Sequence, residues 1–248
     1  MSTADSTPPS HAGHGAQPAS AAGYRIDAPV RTLAADQPQR FTFRVLEPGG
    51  AAVTEFEDRH DRPMHLIVVS NDLADYAHLH PQLADDGTWS VEVPGLAAGR
   101  HRVIVDTVPD RGPELVLTVD LVVPGAAPAR PLPDPTDTAI VDDLVVTVKF
   151  TPTGHGLDAD LTVRRNGIPL EPEPYLGARG HLVAIDSDDL RYLHVHPRDD
   201  AGGEPVSFAI ASPAPGRYRL FFDFSVAGQV RTAAFTVDIP SDATTSAG

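Results

Sequence analysis

His65-Leu66-Ile67-Val68-Val69-Ser70-Asn71-Asp72-Leu73-Ala74-Asp75-Tyr76-Ala77-His78-Leu79-His80-Pro81 is the stretch on which the reading of this chain turns. It occurs twice. Adding 116 to each number gives His181-Leu182-Val183-Ala184-Ile185-Asp186-Ser187-Asp188-Asp189-Leu190-Arg191-Tyr192-Leu193-His194-Val195-His196-Pro197. Seven of the 17 positions are identical, and three of those seven are histidines. A duplicated stretch that drifts elsewhere but keeps its histidines in register points to joint work by the histidines.

Each window reads as a β-hairpin, with 65–69 rising, 70–75 turning and 76–80 returning. Pairing Val69 with Tyr76 sets Ile67 opposite His78 and His65 opposite His80. Directly opposed residues share a face, as do residues two apart. His65, His78 and His80 then lie on one face, and His181, His194 and His196 do so by the same arithmetic. A one-residue slip would undo this placement. Tyr76 and Tyr192 share the histidine face by parity, as packing or hydrogen-bonding residues.

Outward from the windows the period stays at two. Phe41, Phe43 and Val45 alternate with polar residues, as do Trp89, Val91 and Val93 and the run Leu115–Val123. Residues 52–57 are a candidate seventh run of the first half. Pro124–Pro135 carries five prolines in twelve residues, which reads as an extended spacer. After it the alternation restarts at Leu144, Val146 and Val148, and the duplication returns in Gly99-Arg100-His101-Arg102 against Gly216-Arg217-Tyr218-Arg219. The expected architecture is all-β, with two tandem immunoglobulin- or cupredoxin-like β-sandwich domains. The first spans 24–123 and the second 138–240, joined by the linker 124–137. Residues 1–23 and 241–248 read as disordered tails.

Composition narrows the function. There are 34 acidic and 19 basic residues, a formal net charge of -15. That repels phosphate backbones, so nucleic acid is not an expected partner. There is no cysteine, which excludes disulfides, thiolate zinc sites and the His-Cys blue-copper site. No window is long and apolar enough for a transmembrane helix. The start has neither a basic n-region nor an apolar h-region, so the expected location as written is cytoplasmic. No nucleophile elbow, phosphate loop or zinc-protease helix motif is present.

Three neutral imidazoles are a ligand set for zinc or Cu(II). The candidate ligands are His65, His78, His80, His181, His194 and His196. Asp106 and Asp223 occupy matching places in the two halves, as a fourth ligand or as partners that orient an imidazole. Their competing reading is an ion pair with arginines of their own strands. His11 and His14 in the tail offer a weak metal site. His60, His101 and His155 lack a histidine at the matching position of the other half and stay outside the set. His194-x-His196 with Asp200 echoes the cupin pattern of His-x-His followed by an acid.

Met64-His-Leu-Ile-Val-Val with His78-Leu-His-Pro81, Gly180-His-Leu-Val-Ala-Ile with His194-Val-His-Pro197, and Arg217-Tyr-Arg-Leu-Phe-Phe-Asp-Phe224 resemble a group of bacterial two-repeat heavy-metal-binding β-sandwich proteins. That group is similar to the YtkA-like and copper-resistance sandwiches. The resemblance covers roughly 41–238 and implies metal handling outside the cytoplasm. The copper-resistance sandwiches bind through an N-terminal His and Met-rich loops, which this chain lacks, so only the window histidines are proposed. The expectation is a non-enzymatic protein binding copper(II) or zinc. The alternatives are a structural or interaction module whose histidines only knit the hairpins, and a cupin-like metal-dependent oxygenase.

Overall fold

The computed structural model describes residues 20–240, except 127, 129, 154, 155, 194, 199–202 and 212. The described residues form four β-sheets and no helix, two sheets to each half of the chain. The fold is all-β, built as two immunoglobulin-like sandwiches. In the first half, a five-stranded sheet runs Ser20–Ala21, Tyr24–Asp27, Gln39–Leu46, Thr88–Val93, Gln82–Leu83. It covers a four-stranded sheet in the order Tyr76–Leu79, Met64–Ser70, Gly99–Thr107, Leu115–Val123. The second half repeats the four-stranded sheet as Tyr192–Leu193, His181–Asp186, Gly216–Val226, Gln229–Ile239. Its other sheet holds Thr138–Val141, Leu144–Thr153, Gly156–Arg165, Val206–Ala211 and Val195–Pro197, with Ile168–Leu170 against Gly156–Arg165.

Alternation of side chains explains the two sandwich cores. Met64, Leu66 and Val68 point inward with Phe41, Phe43 and Trp89 in the first half. Leu182 and Ala184 do the same with Phe208, Phe222 and Phe235 in the second. Gly180 stands where the first repeat has Met64. Its φ is +148°, and a Cβ there would lie 2.5 Å from the Phe222 ring, which fills the space.

The opposite faces of the two four-stranded sheets pack against each other. Ile67, Val69, Leu73 and Ile104 of the first half form one buried cluster with Val183, Ile185, Leu190 and Phe221 of the second. Tyr76 stacks on Phe221 with ring centres 4.0 Å apart and planes 6° from parallel. The strands Met64–Ser70 and His181–Asp186 are therefore buried on both faces along their whole length. Such strands lack a polar face, which is why 66–69 and 182–185 read as unbroken apolar runs.

The segment between the halves is more than a spacer. The Arg130 guanidinium forks onto Asp72 at 2.8 Å and Asp75 at 2.7 Å, both in the turn of the first window. Leu132 packs on the cluster between the sheets. The prolines prevent strand pairing, but an extended chain can still lay a side chain into an interface. Two other expectations are corrected. Ser20–Ala21 pairs with Tyr24–Asp27, so order begins before 24. Residues 52–57 contribute only single bridges, at Ala52 to Leu46 and at Phe56 to Pro109, and Phe56 packs edge-on against Trp89. Residues 1–19, with His11 and His14, and the tail 241–248 lie outside the described residues.

Candidate functional site

The first window has the expected register. Ile67 pairs with His78 and Val69 with Tyr76, while His65 pairs with Asp106 on its other side. His65, His78 and His80 each bring a ring nitrogen to within 4.8 Å of the other two. Their ring centres are 5.1 Å apart for His65–His78 and His65–His80, and 4.8 Å for His78–His80.

The second window starts in the same register, with Ile185 opposite Tyr192 and His181 opposite Asp223. Then it diverges. In the first half the returning strand stays in its sheet through Leu79. In the second it leaves after Leu193 and re-forms as Val195–Pro197 on the other sheet of the sandwich. His196 there pairs with Ala209 and is exposed, so it does not share a face with His181. The expected second trio on one face is corrected on this point. His194, His155 and Asp200 lie outside the described residues.

His181 instead joins the first trio. Its ring centre is 5.6 Å from His65 and 5.8 Å from His78. His60, which the sequence reading set aside, lies 5.6 Å from His181 and 6.0 Å from His65. The signal for it was the turn it occupies. His60 and Asp61 have φ of 50° and 59°, and at the matching offset Leu176 and Gly177 have 51° and 73°. Two successive positive φ values make a tight hairpin turn, closed by the bridges Arg59 to Arg62 and Tyr175 to Ala178. Gly177 is visible as the mark of such a turn four residues before the second window.

Those turns deliver the carbonyls that orient two histidines. His65 Nε2 donates to the Arg59 carbonyl at 3.0 Å, and His181 Nε2 donates to the Tyr175 carbonyl at 3.1 Å. A ring nitrogen facing a carbonyl must carry the hydrogen, which leaves Nδ1 of each as a lone pair in the neutral ring. His78 Nδ1 lies 3.0 Å from Asp223 Oδ2 and donates to it. In neutral His78 the lone pair is then on Nε2, which lies 2.9 Å from His65 Nδ1. His80 Nε2 is buried with no hydrogen-bond partner among the described residues.

The two aspartates are exchanged between the halves. Asp223 accepts from Tyr76 at 2.7 Å as well as from His78 and Thr232. Asp106 accepts from Tyr192 at 2.9 Å. Asp223 takes its three donors, Tyr76, His78 and Thr232, rather than the arginines of its own strand. Arg217 goes to Asp238, Arg219 to Thr236, and Arg100 and Arg102 to Asp120. Alternation puts these arginines and the aspartates on one face, but Arg102 and Arg219 lie four residues along the strand from Asp106 and Asp223 and meet partners at that end of the sheet instead.

Burial decides the protonation of most of the cluster. Burial first, then the neighbouring His78, holds His65 down at about 4. Burial, with His78 and His65 beside it, holds His80 and His181 at about 3. Tyr76 and Tyr192 are pushed well above the ordinary phenol range by burial and by the carboxylate each one faces. The cluster is thus built to keep these three imidazoles neutral, the form that binds metal. Beside it, a cavity of about 70 Å³ opens between the halves, touched by His60, His65, His78, His181 and, from the other sheet of the second sandwich, His196.

Residues 19–124 and 139–241 each match one family, described as "Domain of unknown function (DUF8832)". The chain belongs to that family. Its two matched segments each span one sandwich with its window. No curated protein matches the chain. Solved structures similar to it include the Escherichia coli adhesin FdeC, at 12% identity over 87% of this chain, with a TM-score of 0.31. The Ig1-2 module of the Drosophila receptor tyrosine phosphatase DLAR matches at 7% identity over 87% of this chain and 96% of its own, with a TM-score of 0.24. Salmonella alpha-2-macroglobulin matches at 14% identity over 88% of this chain, with a TM-score of 0.28. The chain spans 64% of the adhesin chain and 14% of the macroglobulin chain.

Proposed function

We propose that this DUF8832 pair is a non-catalytic β-sandwich module whose two repeats are held face to face, and that the polar centre of their interface binds one divalent transition metal through His65, His78 and His80. One observation supports the reading above the others. With their outer nitrogens committed to the Arg59 carbonyl and to Asp223, neutral His65 and His78 turn two lone pairs toward each other at 2.9 Å. Such lone pairs repel unless a positive species lies between them. A metal ion fits that need, with His80 Nε2 as a third buried acceptor without a partner. Tetrahedral ligation at about 2.0–2.1 Å per nitrogen sets ligand nitrogens roughly 3.3 Å apart, so the pair opens by only a few tenths of an ångström. The committed outer nitrogens are the kind of partners that fix a ligating histidine's tautomer.

The same geometry carries a second reading, a structural module without metal. A proton on His78 Nε2 also separates the lone pairs and leaves a buried imidazolium against Asp223, with Tyr76 and Thr232 completing the carboxylate's shell. Metal loading separates the two. The purified, untagged chain is incubated with Zn(II) or Cu(II), freed of excess, and assayed for bound metal. One ion per chain, lost in the His78→Ala/His80→Ala variant, supports the metal site. A chain that stays metal-free after loading establishes the structural module instead.

A further inference from the structure

Beyond the three nitrogens of one repeat, we infer that His181 of the other repeat supplies the fourth, so that a Zn(II) ion clasps the two sandwiches together. The inference rests on the metal reading above and adds the ligand that makes the site belong to both halves.

The distances carry it. An imidazole nitrogen about 2.0–2.1 Å from zinc sets the ring centre roughly 3.2 Å from the metal, so two rings on a tetrahedral ion have centres about 5.2 Å apart. Among His65, His78, His80 and His181, five of the six separations fall close to that value: 5.1, 5.1, 4.8, 5.6 and 5.8 Å. The three short ones are within the trio and the two longer ones reach to His181. His181 is not one of the three whose ring nitrogens all lie within 4.8 Å of one another, so its ring must shift toward the trio to complete a tetrahedral shell. It shares with them the walls of the cavity between the halves, so there is room to move in.

The chemistry of His181 fits the role. Its Nε2 donates to the Tyr175 carbonyl, which leaves Nδ1 as the free acceptor. His65 is set the same way, by the carbonyl six residues before it, and uses Nδ1 to face His78. The acids beside the centre are already engaged. Asp223 serves Tyr76, His78 and Thr232, and Asp106 serves Tyr192. A nitrogen is thus the nearest donor for a fourth position.

Two consequences follow from a closed set of four nitrogens. Structural zinc sites are four-coordinate with no open position, whereas catalytic ones keep one for water or substrate. Four imidazoles in a tetrahedron also suit Zn(II) better than Cu(II), which favours tetragonal geometry. The ion then adds its binding free energy to the docking of the two halves, because ligands from both must be in place to form the site.

The test uses the full chain and Zn(II), with His181→Gln as the variant; Gln keeps a donor for the Tyr175 carbonyl. Affinity is read by competition with a chromophoric chelator. The expected result is one Zn(II) per chain in both proteins, with affinity in the variant lower by more than the roughly 10–100-fold that loss of an orienting partner causes. Long-range 1H–15N spectra of the unmodified chain provide a second measurement that needs no variant. On adding Zn(II), the Nδ1 resonances of both His65 and His181 should take the metal-bound shift. Unchanged affinity in the variant, or a His181 Nδ1 that does not respond while His65 does, overturns the clasp and leaves the three-histidine site standing. No zinc bound by the unmodified chain removes the metal reading itself, and the clasp with it.

Discussion

The Tyr76 hydroxyl of the first repeat donates to Asp223 of the second at 2.7 Å. Tyr192 returns the bond to Asp106 at 2.9 Å. Each repeat thus presents the same tyrosine and the same aspartate to the other, as the two sides of a self-complementary interface do. Asp223 is buried, and each carboxylate takes a hydrogen bond from a tyrosine of the other repeat. Docking of the sandwiches and satisfaction of these charges are one event.

Removing those donors should weaken the whole molecule, because the site and the interface are the same place. A hydrogen bond to a charged group contributes about 1.5–3 kcal/mol. Tyr76→Phe should lower the unfolding free energy by about that amount, and Asp223→Ala by more, since it leaves Tyr76, His78 and Thr232 without their acceptor. Urea unfolding of the two variants beside the unmodified chain measures both. A Tyr76→Phe protein as stable as the parent would contradict the exchange.

The metal-free chain should be acid-labile well above the carboxylate range. His65, His80 and His181 have folded values of about 4, 3 and 3, below the ordinary 6.5. Between about 6.5 and those values the unfolded chain binds more protons than the folded one, so stability rises with pH there. It should be full above about 6.5 and fall progressively towards pH 3–4. Denaturant midpoints at pH 7.5, 6 and 5 with a chelator present should decline in that order. His80→Ala should make the decline shallower by one proton's share.

Cutting the chain within 124–137 should give two halves that find each other. Each half has its own sandwich core. Each also exposes an apolar sheet face once the partner is gone, among them Ile67, Ile104, Val183 and Phe221. Co-purified or mixed, the halves should migrate as a 1:1 complex in size-exclusion chromatography. Independent migration at micromolar concentration would mean that the linker alone holds them.

Arg130 should protect the linker. Its guanidinium is fixed by Asp72 and Asp75, yet its side chain is 36% exposed, so its effect on global stability should be small. Arg130→Ala should instead speed cleavage of the linker by elastase, which cuts after the small residue Ala126. Equal cleavage rates in the two proteins would show that Leu132 and the prolines hold the segment without it.

Much of the local architecture was legible in the chain itself. The period-two pattern identifies the strands, and the repeat at an offset of 116 identifies two equivalent units. The hairpin register of 65–80 follows from alternation alone, because the turn length fixes which residues oppose. That placed His65, His78 and His80 on one face before any tertiary contact was known. The unbroken apolar run Leu66–Val69 is explained by burial on both sides, which the hairpin reading by itself did not supply.

Only the tertiary structure decided the rest. Alternation tells which face of its own sheet a side chain occupies, but not which surface covers that face. The covering surface here is the other repeat, and that choice brought His181 to His65, Asp223 to His78 and Asp106 to Tyr192. It also made the equivalence of the two windows break down. His196 matches His80 in sequence, but its strand leaves the sheet after Leu193 and His80's stays through Leu79. A one-dimensional repeat records shared ancestry of residues, whereas a sheet switch is set by packing on both sides of the strand. The sequence by itself determined the strands, the register of the first window and the three histidines that share its face. The packing of one sheet face on another determined which residues of the other repeat meet them.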